Sequence, residues 1–180
     1  MQYNWNIVTG TLAVNQPAIT SPGLAAGYVA TTTLNSSDIN VSTDLSWAKT
    51  LIHEAFHAYL VSIYRHQSSN PQDMTYIALI NKYLSQFNNN LEDTQHLIFA
   101  KTNIINSISL ALKEYGVSKG YTLPQQFYDD MAWGGLAGTS VFQRLPQAKQ
   151  QRIVSTIEAE YKNNSTNYLN IVPKGNQICP

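Results

Sequence analysis

The feature that most constrains the fold of this 180-residue chain is the segment His53–His57, which reads His-Glu-Ala-Phe-His. It lies in a run whose apolar residues recur at steps of three and four, the spacing of the buried face of a helix. The run predicts a helix over about residues 44–66, with Thr43 as its N-cap and Asp44 as an acid in its first turn. Any fold of this chain must therefore accommodate a long helix that carries two histidines.

The spacing within this segment is that of a metal site. Side chains four residues apart project from one helix face on successive turns, so His53 and His57 can bind a single ion. Glu54 lies about 100° round the helix from His53, where a carboxylate reaches a water beside the metal without binding the metal itself. In a chain with 4 histidines the pattern arises by chance in about one of 400 shuffled sequences. It predicts a zinc site with His53 and His57 as ligands and Glu54 as general base.

The residues after the motif narrow the choice of a third ligand, which a catalytic zinc ion usually takes from the protein. The metzincin pattern requires glycine and histidine where this chain has Leu60 and Ile63, so that pattern is excluded. His66 follows His57 too closely to return to the metal from a second helix. We therefore predict that His66 lies at a solvated helix end.

Three donors stand together at the start of a predicted helix over about residues 91–115, namely Glu92, Asp93 and His96. Asp93 lies closest to the apolar stripe of this helix. His96 shares its side with small and polar residues that suit a cleft wall, and imidazole is a stronger zinc donor near neutral pH than a lone carboxylate. His96 is therefore the preferred third ligand, and Asp93 and Glu92 remain alternatives.

The chain is predicted to form one α+β domain, residues 1–180, in three parts. Residues 1–42 alternate between apolar and polar and predict a small, mainly antiparallel sheet, whose last strand, Ile39–Val41, leads into the motif helix. Residues 43–162 are predicted to be mostly helical, with the motif helix at the centre, and residues 163–180 to form an irregular tail. Besides the motif helix, helices are expected at about 71–87, 91–115, 124–133 and 146–162.

Glycines and tyrosines add further expectations. Gly116 is predicted to end the helix that contains His96. Gly134–Gly135 predicts a left-handed helix exit or, alternatively, a turn that borders a substrate cleft. Tyr115, Tyr121 and Tyr128 are candidate donors to a developing oxyanion.

Composition argues against several classes of function. Lys+Arg and Asp+Glu balance at 11 each, so the chain lacks the basic surface typical of nucleic-acid binding. No stretch approaches the roughly 18 apolar residues of a membrane span. Only 12% of the residues are charged, and the abundant Asn, Gln, Ser and Thr suggest an extracellular bacterial protein. The N-terminus lacks an export signal, so the chain is expected to be either an intracellular protein or a domain whose export signal lies elsewhere. We favour the second, a part of a longer secreted or exported polypeptide, over a cytoplasmic protein.

Scattered blocks between about residues 39 and 140 resemble a group of bacterial zincin-type metallopeptidase domains. The blocks are Asp44–Tyr59, Gln95–His96, Ala111–Tyr115 and Ala132–Leu136. Such domains often form the C-terminal module of large secreted or toxin-like proteins. The resemblance implies a zincin-like fold, one Zn²⁺ ion and metallopeptidase activity, and it identifies the histidine of the Gln-His block, His96, as the third ligand.

Taken together, these features predict zinc-dependent hydrolysis of a protein or peptide substrate. Glu54 would take a proton from a metal-activated water and return it to the departing amine. The predicted strand at Ile39–Val41 would offer an edge for an extended substrate. Two alternatives stay open: a catalytically inactive binding module on the same scaffold, and a secreted effector or toxin protease.

Overall fold

The computed structural model describes residues 5–21, 30–64, 94–137 and 140–178 of the chain, with side chains at 60–64, 94–102 and 140 outside the description. Within these ranges the strands are β1 (Trp5–Gly10), β2 (Ala18–Ser21) and β3 (Ala30–Asn35). The helices are α1 (Asp44–Tyr64), α2 (Thr94–Ser118), α3 (Gln125–Met131), α4 (Ser140–Gln143) and α5 (Gln147–Lys162). The predicted α+β class, with a small N-terminal sheet and a mostly helical remainder, is confirmed. The helix predicted at 71–87 lies outside the described residues.

The sheet is mixed, so the prediction of a mainly antiparallel sheet is wrong. Its order is β1-β3-β2. The central strand β3 runs parallel to β1, with Trp5 opposite Ala30, and antiparallel to β2, with Thr20 opposite Thr32. A series of hairpins would have produced antiparallel neighbours only. Here β3 lies between β1 and β2, and its pairing with β1 is parallel.

The strand predicted at Ile39–Val41 is instead a turn, because its backbone groups are satisfied locally. The Val41 and Ser42 amides donate to the Asp38 carbonyl at 3.1 and 3.0 Å, and the Tyr161 hydroxyl donates to the Asp38 carboxylate at 2.7 Å. No edge for an extended peptide exists at this position. Among the described strands, β1 and β2 are the outer ones.

The start of α1 agrees with the prediction. Helix α1 begins at Asp44, and the Thr43 hydroxyl accepts a hydrogen bond from the Ser46 amide at 3.2 Å, which is the N-cap interaction. Helix α1 is described as far as Tyr64, and the last two residues of the predicted helix, 65–66, lie outside the described residues. The local pattern therefore predicted the start of the motif helix correctly.

Gly116 does not end α2, contrary to the prediction. The helix continues to Ser118 and closes at Gly120, whose φ is +84°, with the Tyr121 amide donating to the Gly116 carbonyl at 2.9 Å. This is the left-handed helix exit for which glycine is favoured. Gly116 serves packing instead, since a Cβ there would lie 2.9 Å from Cε1 of Tyr128.

Helix α1 lies between the sheet and the other helices, in contact with β2 and β3 and with α2 and α5. Its side chains Leu45 and Ala48 belong to a buried cluster that is completed by Leu112, Phe127, Tyr128 and Met131. Ile52 packs against this cluster and against a second one formed by Ile104, Ile108 and Ala132. Because each buried aliphatic side chain contributes about 1.5–3 kcal/mol, this apolar stripe fixes the rotation of α1 about its axis.

The tail is irregular, as predicted, but it is bound to the start of α1. Glu160 of α5 is fully buried, and its carboxylate accepts hydrogen bonds from the Thr43 hydroxyl at 2.6 Å and from the Lys174 and Gly175 amides at 2.5 and 3.0 Å. One acidic side chain therefore joins the helix cap of α1, helix α5 and the C-terminal segment.

Replacement of Glu160 tests this junction. We expect Glu160→Gln to destabilise the protein by about 2 kcal/mol, because the amide group cannot accept three hydrogen bonds and leaves a buried donor unsatisfied. The control is Glu158→Gln, which removes a partly exposed carboxylate from the same helix and should change stability by less than about 0.5 kcal/mol. Urea denaturation measures both changes, and equal effects would show that Glu160 does not hold the tail.

Candidate metal centre

Helix α1 brings the three motif residues together. The candidate ligand atoms of His53, Glu54 and His57 all lie within 4.8 Å of one another, and the two imidazole centroids are 5.2 Å apart at an interplanar angle of 61°. The three residues are 5 to 8% exposed. The spacing in the sequence therefore becomes a compact, buried donor group that could hold a metal ion.

Both histidines are neutral in this environment. Burial lowers the pKa of His57 to about 3. Burial also lowers the pKa of His53 well below its ordinary value, and the charges of Lys49 and His57 lower it further. A hydrogen bond with the Gly134 backbone acts to raise the pKa of His53. A neutral imidazole is the form that binds a metal ion, so the site presents its histidines ready for coordination.

Glu54 is held by the sheet. The Thr20 hydroxyl of β2 donates to Glu54 Oε2 at 2.5 Å. Burial raises the pKa of Glu54, while the Thr20 hydrogen bond and the charge of Lys49 lower it. The pKa of an exposed glutamate lies well below neutral pH. A carboxylate with a higher pKa binds a proton more readily, so it is a better general base near neutral pH.

Lys49 is a part of the site that the sequence analysis missed. It precedes His53 by one helical turn and is 7% exposed. Burial lowers its pKa to about 8, although the charge of Glu54 acts to raise it. Its position could have been recognised from the sequence, because a residue four positions before His53 lies on the same helix face. Lys49 places a cationic group beside the motif carboxylate.

The Gly134–Gly135 turn lies directly against this face of α1. A Cβ on Gly134 would lie 2.8 Å from Nζ of Lys49, and a Cβ on Gly135 would lie 2.9 Å from Nε2 of His53. Gly135 has a φ of +83°, but it belongs to a tight turn in which the Leu136 amide donates to the Trp133 carbonyl at 2.8 Å. Helix α3 ends earlier, with a right-handed C-cap at Ala132, so the predicted left-handed helix exit at Gly134–Gly135 is wrong. The turn also borders the site, since only residues without side chains allow the backbone to approach this closely.

The tyrosines predicted as oxyanion donors lie elsewhere. Tyr115 and Tyr121 donate to the Asp44 carboxylate at 3.4 and 2.9 Å. Asp44 precedes His53 by nine residues, which is about 14 Å along a helix. Tyr128 is fully buried in the cluster around Leu45. The hydroxyls of Tyr115 and Tyr121 and the ring of Tyr128 therefore support the start of α1.

The third predicted ligand, His96, lies in α2, and α2 packs against α1. Its side chain, like Asp93 and Glu92 as a whole, is outside the described residues. The choice among these three donors therefore stays a prediction.

Comparison of the chain with family models, with curated proteins and with solved structures gave no match. The resemblance to zincin-type domains consequently rests on the residues quoted for it. In the described part of the chain, no helix has both the length and the apolar character of a membrane span.

The depressed pKa of His57 predicts how stability depends on pH without metal. An unfolded histidine binds a proton near pH 6.5, whereas folded His57 does so only near pH 3. Between these values the unfolded state holds more protons, so stability falls as the pH falls, by up to about 1.4 kcal/mol per pH unit for this group.

Urea denaturation between about pH 6 and pH 5 in the presence of a chelator measures this slope. His57→Phe keeps a ring at this position but removes the titration, and we expect a shallower dependence than in the wild-type protein. Equal slopes for the two proteins would contradict the depressed pKa.

Proposed function

We propose that this protein is a zinc-dependent peptidase that uses Glu54 as general base. The observation that carries the proposal is a group of two neutral, buried imidazoles and a buried carboxylate on helix α1, whose candidate ligand atoms lie within 4.8 Å of one another. A site built only for stability has no need to bury three such groups together, because each loses hydration on burial. A metal ion bound by the two imidazoles would offset part of this cost.

The donor chemistry fits zinc. His53 and His57 offer imidazole nitrogens, which suit zinc among the common ions. We propose His96 as the third ligand, since it lies in α2, which packs against α1. Such a set of three histidines would leave one coordination position for the reaction.

Zinc, when bound, supplies Lewis acidity, which makes water acidic enough to deprotonate near neutral pH and polarises a carbonyl group. Glu54 is the residue that accepts the proton of the attacking water. It then donates this proton to the departing amine nitrogen as the peptide C–N bond breaks. The raised pKa of Glu54 suits both transfers, because the carboxyl must bind the proton and then release it.

Proteins or peptides are the proposed substrates, and secretion or export as part of a longer polypeptide is the proposed setting. Both proposals rest on the motif, on the composition and on the resemblance to secreted zincin-type modules. A binding module on the same scaffold would hold zinc but would not hydrolyse peptides, so the two functions differ in one measurable property.

Substitution of Glu54 by glutamine tests the proposed mechanism. We expect Glu54→Gln to reduce hydrolysis of a fluorescently labelled unfolded protein by at least about a hundredfold, because the amide cannot accept the proton. Zinc content, measured by elemental analysis, should stay unchanged because Glu54 is not a ligand. Loss of zinc in this variant would make Glu54 a ligand instead, and unchanged hydrolysis would reject the peptidase proposal.

Two histidine variants test the third ligand. Loss of a residue that hydrogen-bonds to a zinc ligand lowers the affinity for zinc by about 10- to 100-fold. His96→Ala should lower the affinity by more than this, because it removes a ligand. His66→Ala removes the remaining histidine of the chain and should leave zinc binding unchanged. If His96→Ala binds zinc as the wild-type protein does, Asp93→Asn and Glu92→Gln become the variants to measure.

A further inference from the structure

A chain of hydroxyl groups connects all three strands to the motif carboxylate. Trp5 Nε1 on β1 donates to Thr32 Oγ1 on β3 at 2.8 Å. The hydroxyl oxygens of Thr32 and Thr20 are 2.5 Å apart, and Thr20 on β2 donates to Glu54 Oε2 at 2.5 Å. The sheet is therefore joined to Glu54 through two threonines.

The direction of this chain is set by its members. An indole N–H only donates, so Thr32 Oγ1 must accept from Trp5. Thr20 uses its single hydrogen for Glu54, so the hydrogen between the two threonines must come from Thr32. Each hydrogen thus points toward Glu54, and aligned bonds of this kind strengthen one another.

The register of the sheet brings the two threonines of this chain together. Thr20 and Thr32 are directly opposed in the β2–β3 pair, and Thr32 is fully buried. Side chains alternate between the two faces of a strand, so Thr33 lies on the face turned away from Thr32. Thr33 therefore serves as a matched control on the same strand.

We infer that Thr20 is a positioning residue, an inference that rests on the proposed function. Thr20 holds Glu54 Oε2, so that the other carboxylate oxygen, Oε1, carries the proton in the reaction. A glutamate side chain has several rotatable bonds, and freezing it costs up to about 2 kcal/mol. Because the hydrogen bond from Thr20 forms when the protein folds, the Glu54 side chain is already ordered before substrate binds.

A double-mutant cycle tests the contact without any activity. Unfolding by urea in the presence of a chelator is compared for wild type, Thr20→Val, Glu54→Ala and the double variant. We expect the two effects to be coupled by at least about tenfold in the unfolding equilibrium constant, as for a hydrogen bond to a charged group. The same cycle with Thr33→Val should be additive. Additivity with Thr20→Val would overturn the inference.

The kinetic test separates positioning from general stability. We expect Thr20→Val to lower kcat by about ten- to a hundredfold with little change in KM, because a misplaced base weakens proton transfer. Thr20→Ser should recover most of the activity, since it keeps the hydroxyl. A Thr20→Val variant with wild-type kcat would overturn the inference. An inactive wild-type protein would reject the peptidase proposal, while the cycle would still decide whether Thr20 holds Glu54.

Discussion

The structure depends on the burial of both faces of one helix. One face of α1 carries Leu45, Ala48 and Ile52 into the helical core, as expected for an amphipathic helix. The other face carries polar side chains, and it is covered by β2, β3 and the turn at Gly134–Gly135. Burying polar groups costs free energy unless partners compensate them. The sheet supplies such a partner for Glu54, namely the Thr20 hydroxyl. The need to compensate this buried carboxylate therefore links the small sheet to the helices.

The chemistry of the site follows from the same burial. Desolvation keeps both imidazoles neutral and makes the carboxyl more basic. At the start of α1, Glu160 and Asp44 accept hydrogen bonds from the backbone of the tail. The motif helix is thus fixed by the tail at its start and by the sheet at its middle. Residues remote in the chain together determine where the histidines lie.

Local patterns predicted local structure well. The cap at Thr43 and the start of α1 depend on neighbouring residues, as does the proximity of His53 to His57, and all three could be predicted from spacing. Lys49 also lay within reach of that reasoning. The contact between Thr20 and Glu54 was not predictable, because 34 residues separate them and the strand order sets their meeting. The parallel pairing of β1 with β3 and the packing role of Gly116 escaped prediction for the same reason.

The turn at Gly134–Gly135 sets a limit on how this site can vary. A Cβ at Gly135 would meet the imidazole of His53, and the φ of +83° at Gly135 is one that residues with side chains rarely adopt. Every variant that keeps this turn therefore presents bare backbone to His53. On the sheet, by contrast, Thr20 of β2 contacts Glu54 through a side chain that substitution can change.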